Sequence, residues 1–205
     1  MNFLAHLYLS GDSDGVQTGN FIGDYVKGSH YNRYNGDIRK GILLHRAIDT
    51  FTDNHPAVGE AKSVFRPKYG RYSGIVTDVA FDHLLARRWE EFAECTLREF
   101  AGRIHNTLLS GFLNLPFRVQ QFLPVMISNR RLESYASLEG TGKALAIMAK
   151  YSSLPDHSQF AVEAISHNQD QLNIVFSQFM KEITLFVESE YDIRIRRPGI
   201  NPVNV

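Results

Sequence analysis

Three ionisable side chains share one face of a helix predicted over residues 41–56, GILLHRAIDTFTDNHP. His45, Asp49 and Asp53 stand at i, i+4 and i+8, and this spacing stacks side chains on one side of an α-helix. Ile38 and Ile42 continue the stripe toward the N-terminus, so the stripe is expected to face inward. An imidazole and two carboxylates on such a face either bind a divalent metal or form a buried hydrogen-bonded network.

A second grouping of the same residue types follows in a long helix that is predicted to begin at residue 73 or 74. Asp78 and Asp82 lie on one stripe at i and i+4, and His83 lies on the neighbouring stripe. An aspartate next to a histidine in a mostly apolar stretch is hard to explain as two independent accidents. We therefore expect Asp82 and His83 to face His45 and Asp49 across a helix pair.

Two further candidates precede these helices: His6 in the apolar segment NFLAHLYL and Asp24 in GNFIGDYVKG. Together these side chains can form a metal site with mixed nitrogen and oxygen ligands. Such a site suits Mn²⁺, Fe²⁺, Zn²⁺ or Mg²⁺. A metal in such a cage generates hydroxide from bound water and neutralises a phosphoryl oxygen, so phosphate ester hydrolysis is the favoured chemistry. The candidate functional residues are His6, Asp24, His45, Asp49, Asp53, Asp78, Asp82 and His83.

Each candidate also has a purely structural interpretation. A histidine in an apolar segment, such as His6, is more often a core residue, and Asp24 caps the chain or pairs with Lys27. Asp53 lies near a helix end, where aspartate makes turn hydrogen bonds. Asp78 lies near a helix start, where a carboxylate complements the helix dipole. This structural interpretation is weaker for the whole set, because it requires a separate hydrogen-bonding or charge partner for every candidate side chain.

Composition and length narrow the class of protein. The chain has 205 residues, 43% of them hydrophobic, which suits one globular domain. A net charge of zero argues against a general nucleic-acid binder, and no apolar run approaches the length of a membrane span. Cys95 is the single cysteine and cannot form an intramolecular disulfide. With no recognisable signal peptide, the expected location is the cytoplasm, without a membrane partner.

The hydrophobic pattern predicts helices along almost the whole chain. Residues 2–9 fit either a short buried helix or a strand, and residues 28–36 fit a loop. Asp37 is the predicted N-cap of the helix that carries His45. Further helices are predicted over 16–27, 57–69, 96–109, 117–127, 132–150 and 156–190. The predicted fold is a single all-α domain over residues 1–195, followed by a flexible tail at 196–205.

Four motifs resemble those of the acyl carrier protein phosphodiesterase family: MNFLAHL, GNFIGDYVKG, GILLHRAIDTFTDNHP and TDVAFDHLLARRW. They occur in the family's order and spacing over nearly the first half of the chain, whereas the second half is similar only in length and helical character. The resemblance implies an all-helical fold that is distantly related to HD-domain metal-dependent phosphohydrolases. It also implies a divalent cation, Mn²⁺ by preference or Mg²⁺.

The implied reaction is hydrolysis of the phosphodiester that joins 4′-phosphopantetheine to a serine of acyl carrier protein. Its products are apo-acyl carrier protein and free 4′-phosphopantetheine. The residues implied as metal ligands are His6, Asp24, His45, Asp49, Asp82 and His83, and all of these except His6 are also implied as catalytic. Aspartate precedes histidine in the pair at 82 and 83, the reverse of the usual HD order.

Three arginines next to these residues, Arg46, Arg87 and Arg88, are assigned to the substrate. Guanidinium groups suit either the substrate phosphate or the surface of a carrier protein, since carrier proteins are strongly acidic. We expect a wide basic rim around the metal if the substrate is a carrier protein.

Two alternatives remain open from the sequence. The first is a phosphohydrolase that acts on a nucleotide or another small phosphoester, and it predicts a closed pocket with an aromatic stacking residue. The second is a non-catalytic helical binding module with a purely structural polar interior, and it predicts no bound metal.

Overall fold

The computed structural model describes residues 2–199, and within that range the chain is helical and has no β-strand. The predicted all-α fold class is therefore confirmed. The α-helices are α1 (Phe3–Tyr8), α2 (Asp14–Phe21), α3 (Gly36–Asn54), α4 (Pro56–Tyr69), α5 (Ser73–Arg87), α6 (Trp89–Phe92), α7 (Leu97–Ser110), α8 (Phe117–Ser128), α9 (Arg131–Ser134), α10 (Leu138–Tyr151), α11 (Ser158–His167) and α12 (Gln169–Tyr191). Short 3₁₀-helices span Gly23–Tyr25, Gly28–Arg33, Gly70–Tyr72 and Phe112–Asn114.

The ambiguous segment at 2–9 forms the short helix α1 and packs on α2 and α5. A helix of six residues is not stable alone in water, so its stability comes from its surroundings. Leu4 and Leu7 are fully buried, and the side chain of Asn2 accepts a hydrogen bond from the N–H of Phe3 at 2.9 Å. Burial on all sides thus fixes the backbone that carries His6.

Helices α2 and α3 cross at two glycines with almost no space between their backbones. A Cβ atom on Gly19 would lie 2.0 Å from the carbonyl oxygen of Ile38, and one on Gly41 would lie 2.2 Å from that of Val16. Larger residues would push the helices apart, because a real Cβ never approaches backbone this closely. This crossing packs α2 against the first two turns of α3.

The helix predicted over 16–27 is wrong in its second half, since α2 ends at Phe21 and a 3₁₀-helix follows over Gly23–Tyr25. The predicted N-cap of α3 is also wrong. Asn35 occupies that position, while Asp37 lies in the first turn and accepts a hydrogen bond from Ser13 Oγ at 2.6 Å. The segment predicted as a loop at 28–36 contains the 3₁₀-helix at Gly28–Arg33.

Two long helices predicted in the second half are each broken in the structure. The segment 132–150 divides into α9 and α10, because Ser137 caps α10 and a Cβ on Gly140 would lie 2.0 Å from the carbonyl oxygen of Ser134. The segment 156–190 divides into α11 and α12 at Asn168, whose side chain donates to the carbonyl of Ala164 at 2.8 Å. Helix α12 packs on α3, α4 and α5 through buried Phe176 and Phe179.

The first residues of the predicted flexible tail make ion pairs. Arg196 lies 2.6 Å from Asp12, and Arg197 lies 2.7 Å from Glu188. The rest of that prediction, over 200–205, lies outside the described residues. Among the helices within 2–199, none is long and apolar enough to cross a membrane.

Candidate metal centre

Two histidines and an aspartate from α1 and α3 converge in a partly buried group. His6, His45 and Asp49 each offer one ligand atom, and these atoms all lie within 4.8 Å of one another. Nε2 of His6 lies 3.2 Å from Oδ1 of Asp49, and Nε2 of His45 lies 3.2 Å from Oδ2. Both imidazoles are buried, whereas the Asp49 side chain is 43% exposed. The two histidines therefore belong to the core, whereas the carboxylate of Asp49 is accessible to solvent.

Asn20 of α2 holds both imidazoles through a single oxygen atom. Its Oδ1 lies 2.8 Å from Nδ1 of His6 and 3.2 Å from Nδ1 of His45. Its amide nitrogen donates to the carbonyl of His6 and to Ser10 Oγ, both at 2.8 Å, which decides which end of the amide faces the rings. Since an amide oxygen only accepts, each histidine donates from Nδ1. This arrangement is the usual way to leave Nε2 for a metal.

The two Nε2 atoms converge on the carboxylate of Asp49. Both are buried and lack a hydrogen bond of good geometry to the described residues, although carboxylate oxygens of Asp49 are 3.2 Å away. Buried polar atoms are rarely left in this state. Two imidazole nitrogens and a carboxylate are a donor set that divalent cations accept, so the residues present fit a metal.

Charges within the group are strongly coupled. Burial lowers the pKa of His6 to about 4. Burial also opposes protonation of His45, but the carboxylates of Asp24 and Asp49 outweigh it and raise the pKa of His45 to about 9. Burial works against ionisation of Asp49 too, yet the two imidazoles hold the pKa of this carboxyl far below its usual range. At neutral pH, without metal, His6 is therefore neutral, His45 is protonated and Asp49 is ionised.

Asp24 lies at the edge of this group, in the 3₁₀-helix Gly23–Tyr25. Its Oδ1 is 3.6 Å from Nε2 of His45, and its side chain is 66% exposed. The adjacent His45 imidazole lowers the pKa of Asp24. Gly23 allows this approach, because a Cβ there would lie 2.3 Å from Cγ of the His45 ring.

The structure places Asp82 and His83 outside the group formed by His6, His45 and Asp49. Asp82 is fully buried in α5, and its two oxygens accept hydrogen bonds from the N–H groups of Leu4 at 2.8 Å and Ala5 at 3.0 Å. Burial raises the pKa of Asp82 to about 7, against the opposing effect of those two N–H groups. The carboxyl thus caps α1, the helix that carries His6.

His83 is also committed to a core contact. Its Nδ1 donates to the carbonyl oxygen of Tyr135 at 2.7 Å, and burial lowers the pKa of this histidine. Its Nε2 is buried without a hydrogen bond to the described residues. The expected meeting of the pair at 82 and 83 with the pair at 45 and 49 is therefore not observed.

The expectation that Asp53 faces inward is wrong. Its side chain is 77% exposed and lies 3.4 Å from Lys62 Nζ. Residue i+8 is rotated by about 80° from residue i on an α-helix, which carries Asp53 out of the buried stripe. Asp78 is partly buried, and burial raises its pKa.

An open cleft of about 760 Å³ reaches the group of His6, His45 and Asp49 at Asp49. Asp24, Asp49 and Asp78 lie in its lining, together with the cations Lys62, Arg66 and Arg71. The complete lining is Asp24, Asp49, Thr52, Asp53, Lys62, Arg66, Gly70, Arg71, Ser73, Gly74, Ile75 and Asp78. None of the three arginines that the sequence assigned to the substrate is in this lining.

The three arginines that were assigned to substrate bind other parts of the chain. Arg46 Nη2 donates to the carbonyl oxygens of Val26 at 2.7 Å and Gly28 at 2.8 Å. Arg88 pairs with Glu91 at 2.7 Å. Arg87 donates to the side chain of Gln169 at 3.4 Å. Their assignment to substrate stays a prediction.

Sequence reasoning also missed Asn20, although a signal for it exists. The residue is a polar side chain between Gly19 and Phe21 on the buried side of α2, four positions before Asp24. A buried amide in this position needs several partners. That requirement points to an orienting role, but the sequence alone does not show which side chains supply the partners.

Comparison with known proteins gives a consistent family. The sequence model of the family described as "Acyl carrier protein phosphodiesterase" matches residues 1–183. A protein of that name from Yersinia pestis is 39% identical over 150 residues, which are 73% of this chain and 78% of the relative. Another, from Enterobacter sp. (strain 638), is 35% identical over 180 residues, 87% of this chain and 93% of the relative. A third, from Serratia proteamaculans (strain 568), is 32% identical over 184 residues, 89% and 95% of the two chains.

No solved structure matches the chain. The distant relationship to HD-domain hydrolases stays a prediction.

Proposed function

The chain belongs to the acyl carrier protein phosphodiesterase family, and we propose that it uses a divalent metal to release 4′-phosphopantetheine from holo-acyl carrier protein. Family membership makes the protein a phosphodiesterase, so the alternative of a non-catalytic binding module is set aside. We propose Mn²⁺ or Mg²⁺ as the metal, apo-acyl carrier protein and free 4′-phosphopantetheine as the products, and the cytoplasm as the location.

One observation carries the metal-dependent part of the proposal. Nε2 of His6 and Nε2 of His45 are buried, and each lies 3.2 Å from an oxygen of one carboxylate, Asp49, without a hydrogen bond of good geometry to the described residues. These three side chains would hold the metal, and exposed Asp24 at 3.6 Å from His45 would add a further ligand from the solvent side. The bound ion would supply an activated water and charge neutralisation at the phosphoryl oxygens.

A carboxyl group of the cleft would supply the proton that the reaction requires. Hydrolysis breaks the bond between phosphorus and the serine oxygen, so that oxygen must receive a proton while water supplies the hydroxyl. Asp24 has a lowered pKa and stays ionised, whereas burial raises the pKa of Asp78 in the same cleft. Carboxyls whose pKa values are pushed apart suit opposite roles. We assign the protonation of the leaving serine oxygen to Asp78.

Asp82 acts on the site indirectly in this proposal. Both of its oxygens are occupied by N–H groups at the start of α1, and His6 is the next residue of that helix. Asp82 would therefore position His6 rather than bind the metal. The described contacts of His83, to Tyr135 and the core, give it no task in the reaction.

The lining of the cleft bears on the choice between a carrier protein and a nucleotide. A nucleotide site was expected to be closed and to contain an aromatic stacking residue. The cleft is open, and its described lining contains no aromatic side chain. This favours a substrate whose phosphodiester is presented by a larger molecule.

The direct test is a mass spectrum of holo-acyl carrier protein after incubation with the protein and Mn²⁺. We expect the carrier protein to lose the mass of its phosphopantetheinyl group, and we expect EDTA or His45→Ala to prevent the loss. His167→Ala is the matched control, because His167 is exposed and contacts only the carbonyl of Glu163. Metal-dependent cleavage of bis(4-nitrophenyl) phosphate without any change in the carrier protein would instead support the small-phosphoester alternative.

A further inference from the structure

Three basic side chains form one wall of the cleft that contains Asp24 and Asp49. We call Lys62, Arg66 and Arg71 the basic rim. Lys62 and Arg66 stand at i and i+4 on α4, so they are neighbours on one face. Arg71 follows in the 3₁₀-helix Gly70–Tyr72.

Gly70 connects these two elements within the cleft wall. Its φ is +50°, a left-handed conformation that glycine adopts without steric cost. Helix α4 therefore ends there, and the chain turns before Arg71 while remaining along the same cleft. The turn leaves Arg71 in the lining of the same cleft as Lys62 and Arg66.

Two of the three charges of the basic rim have no acidic partner among the described residues. Arg66 is exposed and makes no hydrogen bond or ion pair with any residue in the range 2–199. Arg71 donates to Tyr72 Oη at 2.7 Å and packs over the same ring, which leaves its charge unpaired there. Only Lys62 has an acidic partner, exposed Asp53 at 3.4 Å. Surface pairs of this kind are weak and easily exchanged.

We propose that the basic rim is the docking site for the acidic surface of the protein substrate. This inference rests on the proposed function and deepens it. A bound metal would offset the charges of Asp24 and Asp49 in this cleft, whereas Arg66 and Arg71 would still require anions. Lys62 and Arg66 are about 6 Å apart along the helix axis, and Arg71 extends the row. Such a row is too long for one phosphate group and matches successive carboxylates on a partner.

The arginines that the sequence assigned to the substrate are less suited to bind an acidic partner, because their guanidinium groups already bind other parts of the chain. Arg46 is fixed by two backbone carbonyls, and Arg88 is neutralised by Glu91. Neither residue lines the cleft that reaches Asp49. A carrier protein that docks on the basic rim would present its phosphodiester directly over the metal ligands.

Binding without turnover tests this proposal. The full-length protein with Arg66→Glu and Arg71→Glu is compared with a control in which Arg98→Glu and Lys150→Glu reverse two exposed charges on α7 and α10. Fluorescence anisotropy measures the Kd of labelled holo-acyl carrier protein in EDTA, where hydrolysis is blocked. We expect the rim variant to bind about tenfold more weakly at low salt and to lose most of its salt dependence. We expect the control to bind as wild type does.

The outcomes separate this inference from the proposed function. If wild-type protein cleaves the carrier protein and the folded rim variant binds it as tightly as wild type does, the docking proposal is wrong and the proposed function stands. If the rim variant loses hydrolysis of bis(4-nitrophenyl) phosphate as strongly as it loses carrier-protein binding, these cations bind phosphate and the docking proposal is again overturned. If wild type neither binds nor cleaves the carrier protein, the proposed function itself fails.

Discussion

Replacing Asn20 with leucine tests whether one amide oxygen orients both metal-binding histidines. Leucine is similar in size but cannot accept or donate a hydrogen bond. The change removes the oxygen atom that accepts a hydrogen bond from Nδ1 of His6 at 2.8 Å and another from Nδ1 of His45 at 3.2 Å. It also removes the donor to the carbonyl of His6 and to Ser10 Oγ.

The magnitude follows from these lost contacts. A buried polar group left without a partner costs about 1–3 kcal/mol, so two imidazole N–H groups predict a loss of about 2–6 kcal/mol in the free energy of unfolding. Loss of a residue that orients a metal ligand lowers metal affinity by about 10–100-fold. Because Asn20 orients two ligands, we expect the upper end, about 100-fold, for Mn²⁺. Asn20→Asp keeps an oxygen for both histidines and should recover at least about tenfold of that loss.

Calorimetric titration of metal-free protein with Mn²⁺ measures the affinity, and ¹⁵N NMR of the imidazoles reports which ring nitrogen carries the proton. Gln17→Leu is the matched control. Gln17 is a buried amide on the same helix, but its side chain donates to the carbonyl of Gly11 at 2.6 Å and contacts no histidine in the described chain. If folded Asn20→Leu binds Mn²⁺ as tightly as Gln17→Leu does, the role assigned to Asn20 is wrong.

Three further predictions address neighbouring parts of the site. Asp82→Ala removes the acceptor of two N–H groups at the start of α1. We therefore expect urea denaturation to show a loss of about 2–4 kcal/mol in the free energy of unfolding, and calorimetric titration to show weaker Mn²⁺ binding. Unchanged stability would refute the capping role of Asp82. The pKa of His45 is raised to about 9, so its protonation stabilises the metal-free fold below its ordinary pKa and that stabilisation is lost as pH rises through about 9. Because metal must displace this proton, Mn²⁺ affinity should rise from pH 7 to 9 with release of about one proton, as measured by calorimetry in buffers of different ionisation enthalpy; an affinity that does not change with pH contradicts the assignment. Gly23→Ala places a methyl group 2.3 Å from the His45 ring and should weaken Mn²⁺ binding more than about tenfold, whereas Gly59→Ala, with no neighbour within 4 Å, should bind normally.

The parts of the site that lie on one helix could be predicted from the sequence. His45 and Asp49 are four residues apart, and the regular geometry of α3 alone brings them onto one face. The same reasoning failed for Asp53, because the inward stripe of a straight helix drifts by residue i+8. Helix boundaries failed where tertiary contacts decide them, as at Asn168, where neither glycine nor proline marks the break.

The parts of the site that depend on packing between helices could not be predicted. A buried carboxylate such as Asp82 has the same sequence pattern whether it binds a metal or caps another helix, and the N–H groups it accepts belong to residues 77 and 78 positions away. Asn20 meets His45 only because Gly19 and Gly41 let α2 and α3 approach so closely. The sequence therefore predicted the contact between His45 and Asp49 within one helix, but not the contacts between side chains on different helices.

The most direct test of the central claim is anomalous diffraction from crystals of the protein grown with Mn²⁺. We expect one strong manganese peak at bonding distance from Nε2 of His6, Nε2 of His45 and a carboxylate oxygen of Asp49, with Nδ1 of both histidines still bound to Asn20. A peak beside Asp82 or His83, or no peak at the three ligands in crystals of an active enzyme, would contradict the account.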